Sequence, residues 1–174
     1  MRMLPLRRIQ FVVAAFAAVL IYEIWWVTYA GIHYTPRYTL RPPGASGEMQ
    51  GTTVRVLSLM RSDQLADADG GEPGLPDPGG VWVVAELEAS RHDPAKEFYC
   101  GDQLVGPDWR LWSAAAVRTK RVTQSCPLDL AVGQTVRFES IFMVPARYAD
   151  QLGGIALSDS TTAARIPVIT PPRF

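Results

Sequence analysis

The chain has 174 residues with 17 basic and 17 acidic side chains, so its formal net charge at pH 7 is zero. This balance argues against nucleic-acid binding, which needs a clustered basic excess. The two cysteines are distant from His33 and His92 and lack the spacing of metal ligands, so the sequence predicts no metal and no other cofactor.

An apolar run at residues 9–29 is the most informative segment of the chain. At about 1.5 Å of rise per residue, a helix of this length spans about 31 Å, close to the hydrocarbon thickness of a bilayer. Arg2, Arg7 and Arg8 precede the run, with no acidic residue among them, and positive charge on this side favours a cytoplasmic N-terminus. The sequence therefore predicts a cytoplasmic segment at 1–8, a transmembrane helix at 9–29 and an extracytoplasmic remainder.

A cleaved signal peptide is the alternative interpretation of the same run. Thr28, Tyr29 and Ala30, followed by Gly31, loosely fit the small-residue rule for cleavage. The run is longer than the usual apolar core of a signal, and tryptophans lie where a signal becomes polar. An uncleaved membrane helix is favoured, whereas a mature protein that begins at Gly31 would favour the signal peptide.

Glu23 is the one charged residue inside the run, and Trp25 and Trp26 follow it closely. A carboxyl group roughly 9 Å along the helix from Tyr29 is costly in a membrane, and such groups usually face a partner or a wet cavity. Two alternatives remain: the group is protonated or reaches the outer surface, or it contacts another membrane subunit. In the second case Glu23, Trp25 and Trp26 form the contact.

Residues 30–50 combine several prolines and glycines with little periodicity, which predicts a linker. The part of the chain beyond it, 51–174, is long enough for one compact domain and too short for two. With 15 arginines, two lysines and no asparagine, the composition is typical of a high-GC bacterial genome. The predicted location is therefore a bacterial cell membrane.

Alternation of apolar and polar residues predicts an all-β domain at 51–174. The clearest strand is 81–90, where every second residue is apolar and belongs to the predicted buried face. Further strands are predicted at 52–60, 98–105, 109–112, 134–144, 155–157 and 165–169, with a mobile loop at 62–80 and a helical turn at 146–153. Short strands separated by Gly and Pro favour an antiparallel β-sandwich.

Cys100 and Cys126 both lie in the predicted outer domain. In an oxidising compartment an even number of cysteines favours a disulfide bond, which would stabilise the fold by about 3 kcal/mol. Two buried free thiols are the alternative.

Three segments carry a resemblance to a known family: GTTVRVLSL at 51–59, VWVVAELEA at 81–89, and LAVGQTVRFESIFMVP at 130–145 with the later GGIAL. They resemble a telokin-like, immunoglobulin-fold domain of unknown function found in Gram-positive, actinobacterial surface proteins. The resemblance covers about 51–170 and implies an immunoglobulin-like sandwich that faces the envelope and has no catalytic set. The chain departs from the family in its two cysteines and in lacking an asparagine-containing turn.

Basic and aromatic side chains of the outer domain are the candidate interface. Basic residues can bind lipid headgroups or anionic wall polymers, and aromatic residues are enriched at interface centres. The alternatives are a solvated loop for the former and core packing for the latter. The candidates are Trp82, Trp109, Arg110, Trp112, Arg118, Lys120 and Arg121.

No constellation of residues predicts catalysis. His92, the one histidine of the outer domain, neighbours Asp93 in a polar turn, and no Gly-x-Ser-x-Gly motif occurs. The acidic segment 67–72 lacks most ligands of a calcium loop. The sequence thus predicts a non-catalytic single-pass envelope protein, an accessory subunit or interaction module that contacts lipid and other membrane proteins. The alternative is an extracytoplasmic domain that binds or senses a wall polymer, lipid or ion.

Overall fold

The structure is a computed structural model that describes residues 4–33, 37–96, 98, 100–123, 125–127, 129–158 and 165–172. The chain divides into two compact units, Met1–Pro36 and Arg37–Phe174.

The first unit contains a single helix in its described part, α1 (Leu4–His33), which extends the predicted 9–29 at both ends. Proline is tolerated at Pro5 because an N–H in the first turn has no partner within the helix. The segment Gln10–Tyr29 is long and apolar enough to cross a membrane or to act as a signal sequence, and none of it is buried. Aromatic side chains one turn apart stack along it, with ring centroids 5.2 Å apart for Trp25 and Tyr29.

The second unit is built from β-strands, as predicted. Nine strands occur in its described residues: β1 (Arg37–Leu40), β2 (Gly47–Met49), β3 (Thr52–Ser62), β4 (Gly80–Arg91), β5 (Asp102–Val105), β6 (Leu111–Ser113), β7 (Thr135–Pro145), β8 (Gly154–Leu157) and β9 (Arg165–Ile169). They form one sheet of order β1-β9-β8-β5-β6 and a second of order β2-β3-β4-β7. Neighbouring strands are antiparallel except β1 and β9, which are parallel.

The two sheets share one apolar core. Alternate residues of the long strands β4 and β7 point inward, among them Val83, Leu87 and Phe142, and meet Leu104 of β5 and Ile155 of β8. Period-two patterning brings these side chains onto one face because successive residues of a strand point to opposite sides. The arrangement is a two-layer, sandwich-like domain.

The outer face of β4 is less exposed to solvent than the alternation predicts. Trp82 and Val84 lie on this face and are buried, because Leu65 and Ile141 pack with them in a second apolar cluster. Residues of the segment after β6, including Val117, cover the same cluster. A strand pattern alone does not reveal a loop that folds over the outer face.

Within the predicted linker, 30–50, the structure has two short strands, at 37–40 and 47–49. There β1 pairs with β9 from Arg37↔Arg165 to Leu40↔Val168, and β2 pairs with β3. These strands are too short to show periodicity, and their partners are distant in sequence.

Smaller differences concern element ends. The predicted strand 98–105 begins at Asp102, although Phe98 is buried in the shared core. The predicted strand 109–112 becomes a 3-10 turn, Pro107–Trp109, and then β6. The helical turn predicted at 146–153 is a 3-10 turn at Ala146–Tyr148.

Candidate functional site

The crossing segment, defined here as the described residues 114–123 and 125–126, lies along the chain between β6 of one sheet and β7 of the other. It begins after β6 and follows the edge of β7, where the Ala115 N–H donates a hydrogen bond to the Ile141 carbonyl at 2.7 Å. It continues over the second apolar cluster and returns to the start of β5. There Cys126 forms a disulfide bond with Cys100, as predicted, with the two Cα atoms 6.2 Å apart.

The crossing segment also holds the loop between β3 and β4. The Asp67 carboxylate accepts hydrogen bonds from the N–H groups of Asp69 at 2.9 Å and Lys120 at 3.0 Å. Both hydrogen bonds lower the pKa of Asp67, and the bond from Asp69 has the larger effect. Arg121 donates to the Ala66 carbonyl at 2.9 Å, and the Lys120 ammonium pairs with Asp69. Hydrogen bonds and an ion pair thus join the loop predicted at 62–80 to be mobile to the crossing segment.

These contacts also bear on the acidic segment that weakly resembles a calcium loop. Its first two carboxylates already accept hydrogen bonds from the protein. Across the described ranges, no group of three or more His, Cys, Asp and Glu side chains is placed to hold a metal ion.

A cavity of about 540 Å³, called here the edge cavity, lies between the edge of β7 and the crossing segment. Its walls include the disulfide, Asp102 of β5, and Glu139, Ser140 and Ile141 of β7. The volume falls in the range of small-molecule sites, which are clefts with a few convergent polar groups.

Asp102 is the most unusual side chain of the edge cavity. It is 8% exposed, and it lies on the same face of β5 as the core residue Leu104. Burial raises the pKa of Asp102, while the Ser140 hydroxyl has a smaller lowering effect. Its Oδ2 atom has no hydrogen-bond partner within the described ranges. A buried carboxyl oxygen without a partner is energetically costly, and such groups mark candidate sites.

Thr119 also lines the edge cavity, and its side chain lies against Gly74 of the β3–β4 loop. Its Oγ1 atom is buried and, as far as the described residues extend, without a partner. Asp102 and Thr119 come from different elements, β5 and the crossing segment. Both residues line the edge cavity, which is open to solvent.

The basic residues near the cavity are already paired. Arg121 contacts Glu139 through two N–O pairs, at 3.0 and 3.3 Å, and both side chains are largely buried. The ammonium group of Lys120 pairs with Asp69 and its side chain is 75% exposed. Two acids line the cavity, Glu139 and Asp102. Glu139 is paired with Arg121, whereas Asp102 has no cationic partner among the described residues.

The predicted interface residues do not form one patch. Trp82 is buried and its Nε1 donates to the Gly74 carbonyl at 3.0 Å. Trp112 packs against the shared core. Trp109 is 48% exposed and stacks on Tyr38, with ring centroids 5.3 Å apart.

The four basic candidates divide between two places. Arg110 lies 5.0 Å from the ring centroid of Tyr148, near the β5–β6 turn. Arg118, Lys120 and Arg121 belong to the crossing segment. Arg118 lines a second cavity, of about 740 Å³, between that segment and the β3–β4 loop.

Asp102, Thr119 and Ser140 were not among the residues predicted from the sequence. One signal was present: Asp102 lies two residues before Leu104, so an acid occupies an inward position of a predicted strand. Nothing in the sequence placed Thr119 in the wall of the same cavity, because the crossing segment has no periodicity.

Comparison with known proteins concerns the fold alone. No family model matches the chain, and no curated protein matches it. Among solved structures, the chain is similar to the crystal structure of a conserved hypothetical protein from Bacillus anthracis, with a TM-score of 0.51 and 17% identity. The similarity covers 67% of this chain and 87% of that chain.

Proposed function

We propose that the chain is a non-catalytic, single-pass protein of a bacterial cell envelope, an accessory subunit or interaction module. The observation that carries the proposal is the presence of two different units in one chain. One is an apolar helix with no buried residue in Gln10–Tyr29, and the other is a β domain with a disulfide. A fully exposed apolar helix needs a membrane or a partner, and a disulfide is stable in an oxidising compartment. The N-terminus would then be cytoplasmic and residues 37–174 extracytoplasmic.

The strand order supports an immunoglobulin-like assignment of the outer domain. In that fold, strands A, B and E share one sheet, and strands G, F, C and C′ share the other. The order β3-β4-β7 against β9-β8-β5-β6 matches this arrangement, with β1 and β2 as additional edge strands. An immunoglobulin-like domain agrees with the telokin-like resemblance and with a binding rather than a catalytic function.

The helix supports a contact with another membrane protein. The Glu23 side chain is exposed, and no Lys, Arg or His occurs between Gln10 and Tyr29 to pair with it. Tyr22 stacks on Trp26 with ring centroids 6.4 Å apart, beside Glu23. An acid and a rigid aromatic surface on one helix suit a basic or polar partner helix.

Replacement of Glu23 tests this contact. With Glu23→Leu, a partner that co-purifies from native membranes in mild detergent should be lost, because an apolar side chain cannot pair with a polar group. Ile21→Leu is the matched control, since it changes an apolar residue pointing away from Glu23 on the helix. A partner retained equally by both variants would contradict the contact.

A second candidate function is ligand binding by the outer domain. The edge cavity favours it, because this cleft has the volume of a small-molecule site and the buried carboxyl residue Asp102 lies in its wall. This function and a membrane contact through the helix are compatible within one chain.

A further inference from the structure

We propose that the outer face of the sheet β1-β9-β8-β5-β6 docks on an anionic lipid headgroup layer, in the membrane that α1 crosses. This inference rests on the membrane anchoring proposed above, and it names the surface of the β domain that would lie against the bilayer. Four side chains define this surface, called here the aromatic face. They are Tyr38 and Leu40 of β1, Trp109 of the 3-10 turn and Leu111 of β6.

The aromatic face is apolar although it points away from the shared core. Beneath it lies a third apolar cluster, on which Tyr38 and Leu111 pack. Its buried members alternate with shared-core residues along β5, β8 and β9, so they lie on the opposite side of the sheet. The other sheet differs, because Glu88 forms ion pairs with Arg55 and Arg137 on its outer face. The members of the third cluster are Val105, Ala156, Ile166 and Val168.

Two large apolar side chains of the aromatic face are exposed to solvent. Leu40 is 59% exposed and Trp109 is 48% exposed. The Trp109 ring stacks on Tyr38 with an angle of 16° between the ring planes. Exposed apolar residues that lie together mark interaction surfaces. Tyr and Trp combine an apolar ring with one polar group, and for this reason they are enriched in the headgroup layer of membranes.

The backbone holds Trp109 on this face in an unfavourable conformation. Asp108 and Trp109 have φ values of 55° and 58°, in the left-handed region that bulky residues rarely adopt. Such strain persists where the surrounding structure imposes it, and it is concentrated at functional sites. The conformation therefore supports a function for the exposed ring in addition to packing.

Exposed arginines border the aromatic face and favour an anionic surface. Arg41, Arg110 and Arg165 are exposed, and each is the chain neighbour of a residue in the face or in the cluster beneath it. Among the described residues, Asp108 is the one acid in such a position. Basic residues close to a membrane are attracted to anionic headgroups.

The chain between α1 and β1 is short. Residues 34–36 separate His33, the last residue of α1, from Arg37, the first residue of β1. An extended chain covers at most about 3.6 Å per residue, so Tyr38 lies within about 18 Å of His33. With α1 across the membrane, this length keeps β1 near the lipid surface. Lipid is therefore favoured over a soluble protein or a second copy of the chain as the occupant of the aromatic face.

Paramagnetic relaxation in NMR spectra tests the docking on the full chain. The ¹⁵N-labelled protein is incorporated into lipid nanodiscs, one chain per disc, with a gadolinium chelate on the headgroups. The amide signals of Leu40, Trp109 and Leu111 should broaden strongly, whereas those of Arg55 and Glu88 on the other sheet should broaden little. Replacing part of the phosphatidylcholine with phosphatidylglycerol should increase the broadening on the aromatic face. Equal broadening on both sheets, or no increase with phosphatidylglycerol, would overturn the proposal.

The variant Trp109→Asn tests the aromatic contribution. Asparagine tolerates a positive φ, so this substitution removes the ring without adding backbone strain. It should lower the ratio of docked to undocked domain by about tenfold, because the exposed ring surface no longer leaves water on docking. The broadening of the Leu40 amide signal should fall accordingly. Met60→Asn is the matched control, since Met60 is 54% exposed on β3 of the other sheet. Wild-type broadening in Trp109→Asn would overturn the proposal.

A second variant tests the contribution of charge. Arg41→Gln combined with Arg165→Gln removes two exposed cations next to the aromatic face. This double variant should lose most of the added broadening that phosphatidylglycerol produces in the wild-type protein. The same increase in both proteins would contradict docking on an anionic layer.

The amide signals of Trp25 and Trp26 separate this proposal from the anchoring on which it rests. If these signals broaden and those of the aromatic face do not, α1 is at the membrane and the docking is overturned. If neither set broadens, the anchoring and the docking are both contradicted. Signals of the aromatic face that change only in discs with two chains would assign the face to a second copy. An aromatic face that a soluble gadolinium chelate still reaches in the discs would be free for a soluble partner, and either result would overturn the proposal.

Discussion

At the scale of single residues, Asp102 is an acid at an inward-facing position of a strand, where burial of a charged group is unfavourable. Its place on β5 directs the side chain inward with Leu104, and burial raises the pKa of its carboxyl group. The folded state therefore holds the proton of Asp102 more tightly than the unfolded state does. This contribution to stability is complete below the unfolded pKa and is lost as pH rises through the folded pKa.

Asp102→Asn should consequently raise the melting temperature at pH 7, because the amide carries no charge to desolvate. The gain should shrink on acidification to pH 3.5, where the wild-type carboxyl group is protonated in the folded state. Thermal unfolding followed by circular dichroism at both pH values measures this difference. A gain that is as large at pH 3.5 as at pH 7 would contradict the assignment.

Gly106 shows a different constraint, which is steric. A Cβ atom at this position would lie 2.3 Å from Cζ3 of Trp112, whose ring packs on the core. The backbone of Gly106, with φ −118°, is accessible to alanine. Any cost of a substitution therefore comes from the contact.

Gly106→Ala should destabilise the domain by about 1–3 kcal/mol, as expected for overpacking. Urea denaturation gives the free energy of unfolding. Gly153→Ala is the matched control, because its Cβ would make an ordinary contact 3.5 Å from Val105. Equal effects of the two substitutions would show that the Trp112 contact does not limit the site.

At the scale of elements, the disulfide joins the crossing segment to Cys100, just before β5, and a hydrogen bond of Asp67 joins it to the β3–β4 loop. The described residues of this segment form no strand, so the disulfide and individual hydrogen bonds hold it in place of a sheet ladder. The bond between Cys100 and Cys126 closes a loop with a sequence separation of 26. Such closure restricts the unfolded chain and stabilises the folded one.

The double variant Cys100→Ala with Cys126→Ala should lower the free energy of unfolding by about 3 kcal/mol. Denaturation of the wild-type and double-variant proteins measures this change. Trypsin should also cleave faster after Lys120 and Arg121, which lie in the released segment. Unchanged cleavage would indicate that the contacts with the β3–β4 loop suffice to hold it.

At the scale of the whole molecule, the proposed function depends on the orientation of the chain across a membrane. The predicted arrangement exposes residues 37–174 to the outside. Protease added to intact spheroplasts should therefore digest this part. In inverted vesicles the same part would face the lumen, so it should be protected from protease added outside and digested by protease trapped inside. Digestion only from the cytoplasmic side, or mature protein that begins at Gly31, would contradict a membrane-anchored outer domain.

The sequence by itself determined the features that depend on neighbours along the chain. The apolar run of α1, the period-two faces of β4 and β7, and the disulfide were predicted because hydropathy, alternation and cysteine number are local or compositional. The short strands β1 and β2 were not predicted, because three or four residues show no period and their pairing depends on distant strands.

Only the tertiary structure decided the contents of the edge cavity. Asp102 and Thr119 lie on separate elements, and the path of the crossing segment brings them to the same space. The same folding placed Trp82 under a loop and paired Lys120 and Arg121 with acids. Burial and pairing arise from residues distant in sequence, so local patterns along the chain do not contain them.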